Sequence, residues 1–231
     1  MKKIILTSLM VSLSLFASQS KESFEAGKKI YENTCISCHG VDGEAKTSMH
    51  FVVKPRALTK SILTPEESYK IIRDGAQYWG ARSDMMPSFK SVLSNKEIAD
   101  VNYYISEAFN KQRDERVNKL LDESAKLTPQ QEAKMLKVGG KIFKRNCAMC
   151  HGINGNGESE YVEMSKNEET FLYPYNLQKT LLTEEEIFLY SKFGGHHWGT
   201  HKKDMPSWKR KYNDVVLKSV AKYVEEKIKK K

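Results

Sequence analysis

The sequence predicts an all-α chain built from two tandem, homologous small domains. Two observations carry this. The second half repeats the first, and helix-start signals recur at matching places while no stretch shows sustained strand alternation. Upstream of a Cys pair in each half, Gly27-Lys-Lys-Ile30-Tyr31 matches Gly139-Gly-Lys-Ile142-Phe143 at an offset of 112. Downstream the offset is 119: Pro55 and Leu58 match Pro174 and Leu177, and Thr64 matches Thr183. At the same offset Trp79-Gly80 matches Trp198-Gly199, and Met86-Pro87-Ser88-Phe89 matches Met205-Pro206-Ser207-Trp208. The second copy therefore carries a seven-residue insertion between Gly152 and Tyr173. Two copies make a tandem and not a solenoid.

The elements follow in order. Lys2 and Lys3 precede an apolar run from Ile4 to Phe16, then small residues Ala17, Ser18 and Ser20. This reads as a secretory signal peptide over residues 1–20. The run is shorter than the ~20 residues a membrane span needs, so no integral span is expected after cleavage. The first domain is expected over 21–110, opening with a short helix from Ala26 into the first Cys. Thr64-Pro65-Glu66-Glu67 and Thr183-Glu184-Glu185-Glu186 read as capped helix starts, as does Ser94-Asn-Lys-Glu97. The helix after Ser94 places Ile98, Val101 and Ile105 on one face. Residues 111–133 form a charged connector, expected to be helical and to extend that helix, with a disordered linker as the competing reading. Thr128-Pro129 starts the approach to the second domain, 134–231.

The four cysteines carry the chemistry. They occur as Cys35-Ile-Ser-Cys38-His39 and Cys147-Ala-Met-Cys150-His151, with none left over. Cys-x-x-Cys-His attaches c-type haem. Each thiol adds to a porphyrin vinyl group as a thioether, and one helical turn sets the sulfurs at the vinyl separation. The His that follows lies under the iron as an axial ligand. Zinc and dithiol redox sites also use Cys-x-x-Cys. Zinc would need both pairs to converge, and export disfavours a site that must stay reduced. Two covalently attached haem c groups are expected, and they supply the apolar core that 39% hydrophobic residues leave short.

Met86 and Met205 hold the same repeat position, about 50 residues beyond each motif His and followed by Pro. A soft thioether suits iron and raises the haem potential, so the expected metal ligands are His39 with Met86 and His151 with Met205. Met85 competes locally, but its counterpart is Asp204. His196, His197 and His201 crowd the loop before Met205, as propionate donors or solvated residues, or as alternative ligands. Pro55 and Pro174 are expected to offer backbone carbonyls to the free ring nitrogens of His39 and His151. Leu58, Leu177, Trp79 and Trp198 are expected to pack on the porphyrins, and Arg56, Arg82 and Tyr175 are candidates for propionate contacts.

These residues resemble class I cytochromes c: Gly-x-x-x-aromatic, Cys-x-x-Cys-His-Gly, Pro-x-x-Leu, Met-Pro and a terminal helix bearing Tyr104 or Tyr223. The tandem is similar to soluble bacterial di-haem cytochromes of the c-four type. The resemblance implies a periplasmic carrier that passes electrons towards a terminal oxidase or another reductase, and not an enzyme. Di-haem peroxidases carry two such motifs but are longer, with one haem lacking Met. Di-haem thiosulfate dehydrogenases use a Cys ligand, and no spare Cys exists here. The alternatives are thus a di-haem redox enzyme with an open or non-Met haem, or an electron-transfer subunit of a larger oxidoreductase.

The net charge of +9 is uneven. Residues 21–110 hold 12 basic and 12 acidic side chains, whereas 134–231 hold 19 and 12. The second domain is therefore the expected docking face for acidic redox partners. A nucleic-acid partner is not expected.

Overall fold

A computed structural model describes residues 20–51, 53, 55–81, 86–165, 174–200 and 205–230. Nearly all of the leader segment, part of the insertion, and Arg82, Met85, His201 and Asp204 lie outside the described residues. The described residues are helical and contain no strand.

Each half is built in the same order. Helix α1 spans residues 20–30, widens through a π-helical turn at Tyr31–Cys35, and continues as Ile36–His39. After a loop and a 3-10 turn at Leu58–Lys60 come α2 (Pro65–Asp74) and α3 (Asn95–Phe109). The connector holds α4 (Arg113–Asp122). In the second half, α5 (Met135–Ile142) passes through a π-helical turn at Phe143–Cys147 into Ala148–His151. A 3-10 turn at Leu177–Lys179, α6 (Glu184–Phe193) and α7 (Asp214–Tyr223) follow. The extra residues of the second half include a helix at Glu160–Ser165.

The helix starts are closed as the sequence suggests. Thr64, Ser94 and Thr183 each form a reciprocal capping box with the Glu three residues on. Helices α2 and α6 stop at Gly75 and Gly194, both at positive φ. The first and last helices of each half cross closely because Gly27 and Gly139 lack side chains. A Cβ on Gly27 would sit 2.0 Å from the Asp100 carbonyl oxygen, and one on Gly139 would sit 1.9 Å from that of Ser219. The aromatic residue four positions later then fills the core: Tyr31 and Phe143 are fully buried.

The described residues form two cores. The first gathers Tyr31, Cys35, Ile72, Ile98, Val101, Tyr104 and Ile105. The second gathers Phe143, Phe188, Leu189, Trp198, Leu217, Val220 and Val224, and it also takes Ile62 from the first half and Val117 from α4. Full burial of an aliphatic or Phe side chain contributes about 1.5–3 kcal/mol, so Ile62 and Val117 bind the connector and first half firmly to the second core.

The connector departs from expectation in one respect: it does not extend α3. The chain breaks at Asn110 (φ −133°), whose side-chain amide donates to Ser61 O while its oxygen accepts from Arg116. The break turns α4 against α6, where Val117 can be buried.

Candidate functional site: paired Cys-x-x-Cys-His motifs

The two motifs have near-identical frames. Each His closes a one-turn helix, and the next residue, Gly40 or Gly152, has φ +77°. A Cβ on Gly152 would meet the Glu158 carbonyl oxygen at 2.3 Å, so the return of the chain requires glycine. The His39 carbonyl accepts from Ala45 N–H (2.9 Å) and the His151 carbonyl from Gly157 N–H (2.8 Å). Thr47 and Ser159 donate their hydroxyls to the carbonyls of Cys38 and Cys150. The π-helical turn before each first cysteine is a feature that the sequence reading missed, and such turns concentrate at functional sites.

Each motif His is oriented by a backbone carbonyl. His39 Nδ1 faces Arg56 O at 3.1 Å, and His151 Nδ1 faces Tyr175 O at 3.0 Å. The expectation named Pro55 and Pro174, and the correction is one residue. The ring of each proline fixes only its own φ, and the carbonyl that comes round to the imidazole belongs to the residue after it. With Nδ1–H donating, Nε2 presents its lone pair outward. Burial pushes both imidazoles below their ordinary range, against the opposing effect of the carbonyl bond. A neutral imidazole with a fixed tautomer is the form that binds iron.

The cysteines are all free of disulfides. Burial, then the charge of the neighbouring Cys, pushes the Cys35 thiol up to about 11 and Cys147 up to about 12. Cys35 belongs to the first core and Cys147 packs against the second, so the pairs do not converge as one zinc site would require.

The Met segments are pinned alike. Met86 O accepts from Ala76 N–H (2.9 Å) and Met205 O from Gly195 N–H (2.8 Å). Two residues on, Ser88 and Ser207 donate to Arg73 O and Lys192 O, both at 2.8 Å. A Cβ on Gly75 or Gly194 would meet the backbone nitrogen of Ser88 or Ser207 at 2.8 or 2.7 Å. These segments are thus held against the C-termini of α2 and α6. Met86 packs on the first core.

Leu58 and Leu177 lie against the first and second cores, the ones that hold Cys35 and Cys147. Trp79 and Trp198 donate their indole N–H groups to Lys70 O (3.3 Å) and Leu189 O (3.4 Å) of the preceding helix. Trp198 is also part of the second core. Arg56 lies over the Tyr175 ring at 4.7 Å and donates to the Tyr190 hydroxyl. His196 Nδ1 faces Thr200 O at 3.1 Å, and His197 stacks on Phe193. Both histidines line a cavity of about 350 Å³ with Lys60 and Arg116. Burial depresses His197 below its ordinary range, and the cations Lys209, Arg116 and Lys60 add to this.

The two sites are joined across the halves by a reciprocal backbone pair, which no sequence signal disclosed. Ala57 N–H donates to Gly199 O, and Asn176 N–H donates to Gly80 O. Ala57 and Asn176 are repeat mates, as are Gly80 and Gly199, so the halves meet about an approximate two-fold axis.

The family described as cytochrome C oxidase, cbb3-type, subunit III matches residues 22–105 and again residues 134–224. The chain belongs to this family. It is a class I cytochrome c of the tandem di-haem type, and its cofactors are two covalently attached haem c groups. It is 22% identical over 204 residues to the Cbb3-type cytochrome c oxidase subunit CcoP of Cereibacter sphaeroides, covering 86% of this chain and 59% of that protein. The chain thus spans about three fifths of that relative's length. Cytochrome c-554(548) of Halomonas halodenitrificans is 34% identical over 73 residues, which is 32% of this chain and 82% of that protein. Among solved structures, a chain of the Kuenenia stuttgartiensis reducing HAO-like protein complex Kustc0457/Kustc0458 is similar. It covers 89% of this chain and 96% of its own length, with a TM-score of 0.45 and 21% identity.

The residues present fit haem c. Each half offers two thiols one helical turn apart, an oriented neutral imidazole beside them, and a pinned Met segment. No helix among the described residues of this cytochrome is long and apolar enough to cross a membrane.

Proposed function

We propose that this cytochrome is an exported, periplasmic electron carrier that passes single electrons between respiratory partners by outer-sphere transfer. The haems supply a one-electron iron couple when bound. The observation that carries the reading is the duplication of one complete frame: imidazole, carbonyl orienter and pinned Met recur at matched positions in both halves. In this reading Cys35 and Cys38, and Cys147 and Cys150, would form the thioethers, and His39 with Met86 and His151 with Met205 would hold the two irons. The domains are 21–110 and 134–231, joined by 111–133, with a leader over 1–20. Arg56 O and Tyr175 O hold the proximal tautomers. Leu58, Leu177, Trp79 and Trp198 would border the porphyrins. Lys60 and Arg116 bring positive charge to the cavity that His196 and His197 also line, which suits a propionate carboxylate.

The second half is the docking face for an acidic partner. It carries the charge excess, and Met149, between the two cysteines of its motif, is 61% exposed. An exposed apolar side chain on a half with excess positive charge suits brief, steered encounters. A second reading, that the chain is the electron-transfer subunit of a larger oxidoreductase, is favoured by the relative being named as an oxidase subunit. Purification from native membranes under mild conditions separates the two. A carrier elutes alone, whereas a subunit elutes with an oxidase.

A further inference from the structure

The glutamates that close the capping boxes of α2 and α6 are repeat mates, and they meet across the approximate two-fold axis. Glu67 is 7% exposed and Glu186 is 2% exposed. Each spends its Oε2 on its own cap, accepting from Thr64 N–H (2.8 Å) and from Thr183 N–H (2.9 Å). Arg113 bridges Ile62 O, just ahead of α2, to Glu186 of α6, and this bridge sets the two buried carboxyls beside one another across the halves. Two ionised carboxylates cannot hydrogen-bond, because neither has a proton to donate. A close, buried pair therefore favours the state that shares one proton.

The surrounding charges support that state. Arg113 of α4 pairs with Glu186 Oε1 and donates through Nε to Ile62 O (2.7 Å). Its remaining nitrogen pairs with the exposed Asp114. One proton, two carboxyls and Arg113 make a neutral set, whereas full ionisation leaves a net buried charge of −1. Arg116, on the next turn of α4, is spent on Thr59 O, Ser61 O and Asn110. Glu66 and Lys70 of α2 pair with each other at the exposed face. On α6, Glu184 faces Lys222, Glu225 and Glu226, away from the pair. From α3, Asn102 reaches Pro65 O.

We propose that Glu67 and Glu186 form a proton-linked latch between the two halves, closed while they share a proton and loosened when the proton is lost. The loosened state lets both carboxylates reach water, and there Glu186 no longer feels the burial that raises its proton affinity. Burial and the Glu67 charge raise the proton affinity of Glu186 in the closed state, which agrees with this. The latch concerns docking alone. Its consequence for electron passage between the two motifs rests on the reading above, and the test below does not.

The test is amide hydrogen exchange on the full-length holoprotein, read at Ala57 and Asn176, whose N–H groups bridge the halves. Rates are corrected for the intrinsic pH dependence of exchange. Between about pH 5 and pH 8 the wild type should lose about tenfold or more of its protection at both amides, the factor that one unit of pKa difference produces. Glu67→Gln keeps the cap and a neutral donor to Glu186, so its protection should not vary with pH. Glu186→Gln should also be flat. The proposal is overturned if wild-type protection is flat, or if Glu67→Gln follows the wild-type curve. Should the variants not fold, infrared spectra of the wild type decide: a protonated carboxyl band present at pH 6 and lost by pH 8 is expected, and its absence at pH 6 overturns the latch.

Discussion

Ala57 donates its backbone N–H to the carbonyl of Gly199 across the two halves, at 3.1 Å. The residue before Ala57 turns its carbonyl to His39. The mate contact, Asn176 to Gly80 at 2.9 Å, follows Tyr175, which turns its carbonyl to His151. Each proximal segment is therefore tied to the Trp-Gly turn of the other half, and docking and ligand orientation share one stretch of backbone.

Gly199 and Gly80 should accordingly resist substitution. A Cβ would lie 2.7 Å from Ala57 O or 2.4 Å from Asn176 O, and φ is +85° or +100°. Gly199→Ala should cost about 1–3 kcal/mol. It should also split one calorimetric unfolding transition into two, because the strain falls on the junction and not on either core.

The helix crossings make a prediction opposite in sign to helix propensity. Ala is the better helix former by about 1 kcal/mol. Gly27→Ala and Gly139→Ala should nevertheless destabilise by about 1–3 kcal/mol, because the added Cβ collides with backbone at 2.0 and 1.9 Å. Denaturant unfolding of each variant checks this.

What the sequence disclosed and what it did not divide along physical lines. The motifs, the caps at Thr64, Ser94 and Thr183, and the apolar face of α3 were legible because each is a local spacing rule. The separate α4 was not, since Asn110 breaks the helix through bonds to Ser61 and Arg116 that depend on tertiary placement. The carbonyls of Arg56 and Tyr175 were missed by one residue, because backbone carbonyls leave no mark on residue identity. Glu67 and Glu186 read simply as capping residues, and only docking of the halves brings them together.

Stability should fall as pH rises from acid towards neutral on account of Glu186. Its proton affinity is raised in the folded state by burial and then by Glu67, and Arg113 opposes this. The folded state thus holds a proton that the unfolded state releases above about pH 4.3. The contribution is fully present below that value and is lost as pH rises through the raised folded value. Arg113→Gln removes the opposing cation and should move the end of this loss to higher pH. Melting temperature against pH, compared between the two proteins, reads it.

Electron transfer to an acidic partner protein should slow as salt is added. The Debye length shrinks from about 30 Å at 0.01 M to about 8 Å at 0.15 M, so a loss on the order of tenfold is expected. Charge-reversing second-half lysines such as Lys209 and Lys211 should flatten that dependence. The same change at Lys28 and Lys29 in the first half should not. Stopped-flow rates over a salt series measure both.

The most direct test of the central claim is the low-temperature EPR and optical spectrum of the oxidised holoprotein, with Met86→Ala and Met205→Ala alongside. Two low-spin His–Met haems in the wild type, with one lost in each variant, are predicted. A high-spin or bis-His haem in the wild type, or a Met205→Ala spectrum that keeps both Met-ligated haems, would contradict the account.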